Sequence, residues 1–182
     1  MNALRYPGFW LTLGLVAAAG AAVFITRSPT LREDMFLLLL YVVLATSLNV
    51  LLGYTGYVNF GHIVFFGLGG YVGFYFMSQQ GWPLWWAVLA GGLASGLLAL
   101  GLGVAVLRLR GAYFALATIG VNEAVRAFIN SFKPFGGPTG MSLNFSVYQD
   151  YGGPSNALWI TFAAMFGLAL LSLIASYVIK FS

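Results

Sequence analysis

The sequence contains no cysteine and little charge. The absence of cysteine from its 182 residues excludes disulfides, thiolate catalysis and Cys-ligated metals. Charged residues make up 7% of the chain, whereas soluble domains carry about a quarter. The basic residues are few and scattered, so they do not form the basic patch that nucleic-acid binding requires. The composition therefore excludes most classes of soluble protein.

Long apolar runs take the place of charge. Hydrophobic residues make up 60% of the chain, and a helix needs about 20 largely apolar residues to cross about 30 Å of hydrocarbon. We predict an all-α, polytopic membrane helix bundle of about six transmembrane helices, one or more of them broken. We predict that residues 1–182 form a single transmembrane domain, with no soluble domain. The predicted segments are 9–25, 35–52, 59–77, 84–107, 112–132 and 157–179.

The first segment could be mistaken for a signal peptide, but it is longer than a usual signal core and more membrane sequence follows at once. We therefore predict an uncleaved helix, followed by a polar turn over TRSPTLRED. Small residues recur every four positions on three segments, which predicts close helix packing through them. These residues are Gly14, Ala18 and Ala22, then Gly69 and Gly73, then Gly91, Ser95, Ala99 and Gly103.

The basic residues suggest an orientation, because cytoplasmic loops carry an excess of Lys and Arg. Arg27 and Arg32 lie close to Glu33 and Asp34, whose negative charges offset them, whereas the RLRG turn has no acidic neighbour. We therefore predict a cytoplasmic N terminus. This places Arg5, Arg108, Arg110 and Lys180 inside, and Arg27, Arg32 and Lys133 outside.

The fifth segment carries the sharpest chemical signal. Glu123 and Arg126 are three residues apart, so on a helix they share a face and can pair. Asn122 and Asn130 extend the stripe. Glu123 lies about 18 Å along a helix counted from Gly111, near mid-membrane if the helix stands upright. Such a stripe should face protein or a water-filled cavity. An ion pair that locks two helices together explains it as well as a transport pathway does.

A second polar patch interrupts the apolar runs. Thr46, Asn49 and Gly53 share one helix face, and GYTGYVNFGH follows them without a formal charge. Irregular backbone at membrane depth is tolerated only when it is buried in protein or lines a wet cavity. Transporters use such breaks to meet their substrates. The residue types alone equally allow a short uncharged surface turn.

His62 is the single histidine of the chain. No carboxylate or second histidine stands at metal-ligand spacing from it, so we predict a structural hydrogen bond near a helix end and no metal site. No sequence pattern of a catalytic triad, a P-loop or a dinucleotide-binding loop is present. An intramembrane enzyme would need more clustered groups than Glu123 and His62 provide.

Three blocks carry a family resemblance. SLNVLLGYTGYVNFGHIVFFGLGGY, LRLRGAYFALATIGVNEAVR and GGPTGM follow one another over about 44–140. Together they resemble the M-type permease subunit of bacterial ABC importers for branched-chain amino acids. Urea and short-amide importers have similar permeases. Glu123 and Arg126 fall where the family carries Gly-Glu and a later Arg, although this chain has Asn122 before the Glu.

The resemblance implies ATP-driven uptake through a multi-pass protein of the bacterial plasma (inner) membrane. Its partners would be membrane lipid, a second permease subunit, cytoplasmic ATPase subunits and an extracytoplasmic solute-binding protein. No cofactor and no catalytic residue are expected, since hydrolysis belongs to the ATPase. The substrate-pathway candidates are Asn49, Tyr54, Thr55, Asn59, His62, Glu123 and Arg126.

Two alternatives stay open at this point. The solute could be urea, an amide or another small organic molecule, or the chain could be a structural or assembly subunit of a membrane complex. Permeases of this family are longer than 182 residues, and a cytoplasmic coupling loop follows about the sixth helix. The resemblance therefore implies that the chain is the N-terminal part of a longer permease.

Overall fold

A computed structural model describes residues 7–142 and 146–181, and most of that length is helical. Within these residues there is no β-strand, and the all-α prediction is confirmed. Two short 3₁₀ turns, Lys133–Phe135 and Gly137–Thr139, lie in the long polar connection. The helices are α1 (Pro7–Thr26), α2 (Pro29–Asn49), α3 (His62–Gln79), α4 (Leu84–Val106), α5 (Ala112–Ser131), α6 (Ser146–Gln149) and α7 (Pro154–Phe181).

The polar link before α2 is shorter than the sequence suggested. Helix α2 begins at Pro29, so most of TRSPTLRED is helical and the prediction of a turn there was wrong. Ser28 Oγ accepts a hydrogen bond from the Leu31 amide at 3.4 Å, and Pro29 occupies the first turn. A Ser cap followed by Pro is a strong start signal for a helix. The Ser28 cap and Pro29 therefore favour a helix here more strongly than the polar residues of the link favour a turn.

Most predicted membrane segments correspond to long apolar helices. Among the residues that the structure describes, five spans are long and apolar enough to cross a membrane, by length and composition alone. Helix α3, with 18 residues, is not among them. Its glycines and tyrosines, with His62 and Gln79 at its ends, lower its mean hydropathy. The five spans are Pro7–Thr26, Pro29–Thr55, Leu84–Val106, Ala112–Ser131 and Pro154–Lys180.

The backbone divides into two compact units. The first, up to Gly56 and again from Gly152, contains α1, α2 and α7 around a core of Val23, Leu39, Phe162 and Ala169. Arg32 is only 6% exposed in this unit, and its guanidinium carbon lies 5.2 Å from the centre of the Trp159 ring. A cation over an aromatic face is favourable, and more so where water is excluded. This contact joins the first turns of α2 to α7.

Helix α1 packs through residues other than the predicted small ones. Gly14, Ala18 and Ala22 are exposed, so the predicted packing ridge does not face the core. The buried glycine is Gly20, where any side chain would overlap the Phe166 ring of α7. The two sets lie on different faces of α1, and spacing alone does not tell which face meets a large partner side chain.

The second unit, Tyr57–Tyr151, contains the α3–α4 pair. The small residues of α3 and α4 were predicted to pack closely, and the structure confirms this over part of the two helices. A side chain at Gly91 would overlap the Gly69 carbonyl oxygen, and Ser95 Oγ donates to the Phe65 carbonyl at 2.6 Å. Close backbone approach of this kind holds helices together in lipid. Ala99 is exposed and Gly103 contacts only its own helix, so the contact stops after Ser95.

Candidate functional site

The predicted interruption between the second and third segments is present. The chain leaves α2 as a π-helix over Val50–Thr55, in which Thr55 Oγ1 donates to the Leu51 carbonyl at 2.5 Å. Gly56 ends it with φ 73°, a conformation that favours glycine. Residues 57–61 form no regular structure before α3 begins at His62. Single π-turns of this kind occur frequently at functional sites.

The π-helix contributes to a groove in the first unit. The groove has a volume of about 550 Å³ and contains the predicted face of Thr46, Asn49 and Gly53. Any side chain at Gly53 would overlap the Asn49 side-chain oxygen, so glycine leaves room for that exposed amide. Hydroxyls and one ammonium complete a polar lining within a membrane helix bundle. The lining residues are Thr12, Ala45, Thr46, Asn49, Gly53, Tyr54, Leu173, Ser176, Tyr177 and Lys180.

Tyr54 fixes the π-helix to α7. Its hydroxyl lies 2.9 Å from the hydroxyl of Ser176, which is only 4% exposed. Thr55, by contrast, is exposed and bonded only within its own turn. Of these two candidates, Tyr54 positions the break and lines the groove, whereas Thr55 closes the π-turn.

The second half of the interruption is held against α5 within the second unit. The Phe60 amide donates to Thr118 Oγ1 at 3.1 Å, and the Tyr57 and Phe114 ring centres are 4.8 Å apart. A β-carbon at Gly61 would lie 2.6 Å from the Thr118 carbonyl oxygen, so glycine permits this approach. Thr118 is therefore the anchor of the irregular segment on α5.

Asn59 and His62 lie at the start of α3. Asn59 Oδ1 accepts from the Gly61 amide at 2.9 Å, a local bond that shapes the turn into the helix. His62 Nδ1 is buried and has no hydrogen-bond partner among the described residues, so this nitrogen does not make the predicted structural bond. No group of three or more possible metal ligands occurs in the part of the chain that the structure describes.

Helix α5 carries the charged pair on a surface of the chain. Arg126 Nη1 lies 4.0 Å from Glu123 Oε1, and the side chains are 72% and 62% exposed respectively. Asn130 is exposed on the same stripe, and Asn122 is half-buried. The opposite face of α5 buries Phe114, Thr118 and Ile129. The helix is therefore amphipathic, with its polar stripe directed away from its own unit.

The structure brings the candidates together in two groups. Asn49, Tyr54 and Thr55 belong to the first unit, with Ser176 as a partner on α7. Asn59 and His62, just before and at the start of α3, lie in the second unit with Glu123 and Arg126. Their segment is anchored at the buried Thr118, five residues before Glu123 and on a different face of α5. Sequence reasoning missed Thr118 and Ser176. Neither stands out in the sequence from the other residues of its helix, because their partners lie 58 and 122 residues away.

A comparison with known families decides the class of protein. Residues 31–182, which include every candidate residue, match the family described as branched-chain amino acid transport system / permease component. The chain belongs to this family. With its long apolar helices it is a multi-pass membrane protein and a component of a transporter rather than a catalyst.

Two curated relatives are similar to the chain. Each is a high-affinity branched-chain amino acid transport system permease protein LivM, one from Escherichia coli (strain K12) and one from Salmonella typhimurium. Each is 34% identical, over 142 and 140 residues that cover 72% and 71% of this chain. The chain spans 32% of the length of each relative, about a third. No solved structure matches the chain significantly.

Proposed function

We propose that the chain is a permease subunit of an ATP-driven importer and forms part of the pathway for branched-chain amino acids across a bacterial inner membrane. The family and the names of both relatives support this substrate class. Membrane lipid, a second permease, two cytoplasmic ATPase subunits and an external solute-binding protein would complete the importer. Hydrolysis of ATP would belong to the ATPase partners.

The exposed charged pair of α5 is the observation that carries this proposal. Glu123 and Arg126 lie inside a helix that can span a membrane, yet both side chains face away from their own unit. A charge at the centre of a bilayer costs at least ~2.5 kcal/mol, so charged residues there face protein or water. A water-filled pathway shared with a partner would satisfy both charges.

The break between α2 and α3 supports the same pathway. Transporters use helix ends and freed backbone groups to meet polar solutes, and here these groups follow the end of the span Pro29–Thr55. Asn49 and Tyr54 line a polar groove beside the π-helix, and Asn59 and His62 begin the next helix. In this proposal each unit contributes its own candidate residues to the pathway: Asn49, Tyr54 and Thr55 from the first unit, and Asn59, His62, Glu123 and Arg126 from the second.

The proposed topology assigns the partners to the two sides of the membrane. With a cytoplasmic N terminus, and with α3 crossing the membrane as the predicted third segment, the RLRG turn between α4 and α5 lies on the ATPase side. The polar stretch 133–156 then faces the binding protein. In the described part of that stretch, Gly136, Gly137 and Gly140 all have positive φ, a conformation that glycine adopts readily in tight turns.

Reconstituted uptake tests the proposal. The chain is assembled in liposomes with its permease, ATPase and binding-protein partners, and ATP-dependent leucine uptake is measured. We expect Glu123→Gln to lower uptake roughly tenfold, equivalent to about 1.4 kcal/mol. Glu33→Gln makes the same change at an exposed carboxylate near the start of α2 and should leave uptake unchanged.

The outcomes separate the possible functions. Uptake of urea or a short amide without leucine uptake would replace the substrate class. Loss of assembly in Glu123→Gln would instead assign the pair to a structural contact between subunits. If the rate of ATP hydrolysis does not depend on any solute, and no amino acid or amide is taken up, the permease proposal is overturned.

A further inference from the structure

Glu123 and Arg126 on α5 have hydrogen-bond acceptors and donors that make no hydrogen bond with the residues that the structure describes. The 4.0 Å between Arg126 Nη1 and Glu123 Oε1 is longer than a hydrogen bond. The structure shows neither side chain in a hydrogen bond with any residue that it describes. A guanidinium has five N–H donors, and a carboxylate can accept about four hydrogen bonds. Each group can therefore bind a further charged partner while it stays beside the other.

The two charges select a particular kind of ligand. An α-amino acid carries a carboxylate and an ammonium on the same carbon, so it can place one beside Arg126 and the other beside Glu123. Charge-assisted hydrogen bonds of this kind are about twice as strong as neutral ones. Urea and simple amides are uncharged, so they would leave each of the two ions at membrane depth with no ionic partner other than the other member of the pair. The pair therefore favours a zwitterion over the neutral solutes.

An apolar residue lies next to the pair on the same face. Ile119 is one turn before Glu123 and is 43% exposed. Residues 119, 123, 126 and 130 recur at spacings of four, three and four, so they form one stripe along α5. A ligand whose charged groups bind the pair can lay an aliphatic side chain toward Ile119. At the other end of the stripe, the exposed Asn130 offers an amide to the charged groups.

We propose that Glu123 and Arg126 form a head-group site for zwitterionic α-amino acids. Arg126 binds the carboxylate, Glu123 binds the ammonium, and Ile119 contacts the aliphatic side chain. The inference rests on the proposed transport function and adds to it the groups that tell an amino acid from an amide, an amine or a carboxylic acid.

Ligand binding to the full chain in lipid nanodiscs tests the site. Saturation-transfer NMR suits weak ligands and gives relative affinities by titration. The probes are leucine, isocaproate, which lacks the ammonium, and isoamylamine, which lacks the carboxylate. We expect each single-charge analogue to bind about tenfold more weakly than leucine, because each loses one charge-assisted interaction.

Two variants assign each charge to one residue. In Glu123→Gln, leucine should bind about as weakly as isocaproate, and the affinity for isocaproate should not fall. In Arg126→Gln, leucine should bind about as weakly as isoamylamine, whose own affinity should not fall. The matched controls Glu33→Gln and Arg108→Gln change the same groups at exposed positions outside the stripe and should leave all three affinities unchanged.

Several results would overturn the site. These are no binding of leucine, equal binding of leucine and its analogues, or a variant that weakens all three probes alike. Uptake by the assembled importer tests the transport function separately. If that importer takes up leucine and both variants retain full uptake, only the head-group site is wrong. If the importer assembles and takes up no amino acid, the transport proposal itself fails.

Discussion

The hydroxyl of Tyr54 lies 2.9 Å from the hydroxyl of Ser176, and this bond joins the π-helix after α2 to α7. Ser176 is only 4% exposed, so water does not readily replace the bond. π-Helices are rare and occur mostly as single turns within α-helices, so a hydrogen bond to another helix supports an unusual backbone here. The hydroxyl pair supplies that support at one wall of the polar groove.

Tyr54→Phe should therefore loosen the π-helix. Removing one partner from a buried hydrogen bond costs about 1–3 kcal/mol when the other is left unsatisfied. We expect a loss of that size in the free energy of unfolding in micelles, and a similar loss for Ser176→Ala. Tyr41→Phe, at a residue 67% exposed, is the matched control and should change stability little. If the double variant loses the sum of the two single effects, the residues do not interact.

The α3–α4 contact makes a sharper comparison possible, because neighbouring glycines differ in their surroundings. A side chain at Gly91 would overlap the Gly69 carbonyl oxygen, whereas one at Gly92 has no atom within 4 Å. Gly91→Ala should therefore cost about 1–3 kcal/mol of stability, the usual cost of overpacking. Gly92→Ala should be neutral or slightly stabilising, because alanine is the better helix former. Equal effects in thermal unfolding would show that these helices do not approach closely at Gly91.

Much of this architecture can be predicted from the sequence, because membrane insertion depends on composition and length. The apolar runs give the helices, and the uncharged Gly-rich patch gives the break at residues 50–61. The spacing of Gly69, Gly91 and Ser95 also indicates a packed face. These signals are local in the sequence, and the lipid bilayer restricts both the backbone structures and the helix contacts that are stable within it.

The unpredicted features depend on tertiary partners. Gly14 and Gly20 both lie in α1, but only the Phe166 ring of α7 explains why Gly20 is the buried one. Likewise, the role of Thr118 on the buried face of α5 depends on the Phe60 amide, which donates to its hydroxyl from 58 residues away in the sequence. The start of α2 is a different case, because Ser28 and Pro29 are a local start signal for a helix that the sequence itself contains.

The contact between Arg32 and Trp159 should make arginine hard to replace. Lysine keeps the charge but cannot stack a planar group on an indole. We expect Arg32→Lys to lower the free energy of unfolding by about 0.5–2 kcal/mol, the range of cation–π contacts. Arg108→Lys, at an exposed position, is the control and should leave the free energy of unfolding unchanged. An unchanged stability of Arg32→Lys in micelles would mean that the stacked guanidinium contributes nothing beyond its charge.

Thr118 offers a test of the segment that joins the break to α5. Its Oγ1 accepts from the Phe60 amide at 3.1 Å and donates to the Ala115 carbonyl at 2.8 Å, so Thr118→Val leaves that amide without an acceptor. The expected loss of stability is about 1–3 kcal/mol. Because the freed segment leads into Asn59 and His62, leucine uptake should fall as well.

The hydroxyl itself can be tested by rescue. Thr118→Ser restores an acceptor at the same position and should recover most of both losses. Thr161→Val is the matched control, since Thr161 is exposed and bonds only to Ala157 of its own helix, at 2.6 Å. If Thr118→Val lowers stability but leaves uptake by the assembled importer unchanged, the anchored segment is a structural feature of the fold. If uptake falls in Thr118→Val and returns in Thr118→Ser, the position of residues 59–62 against α5 is part of the transport pathway.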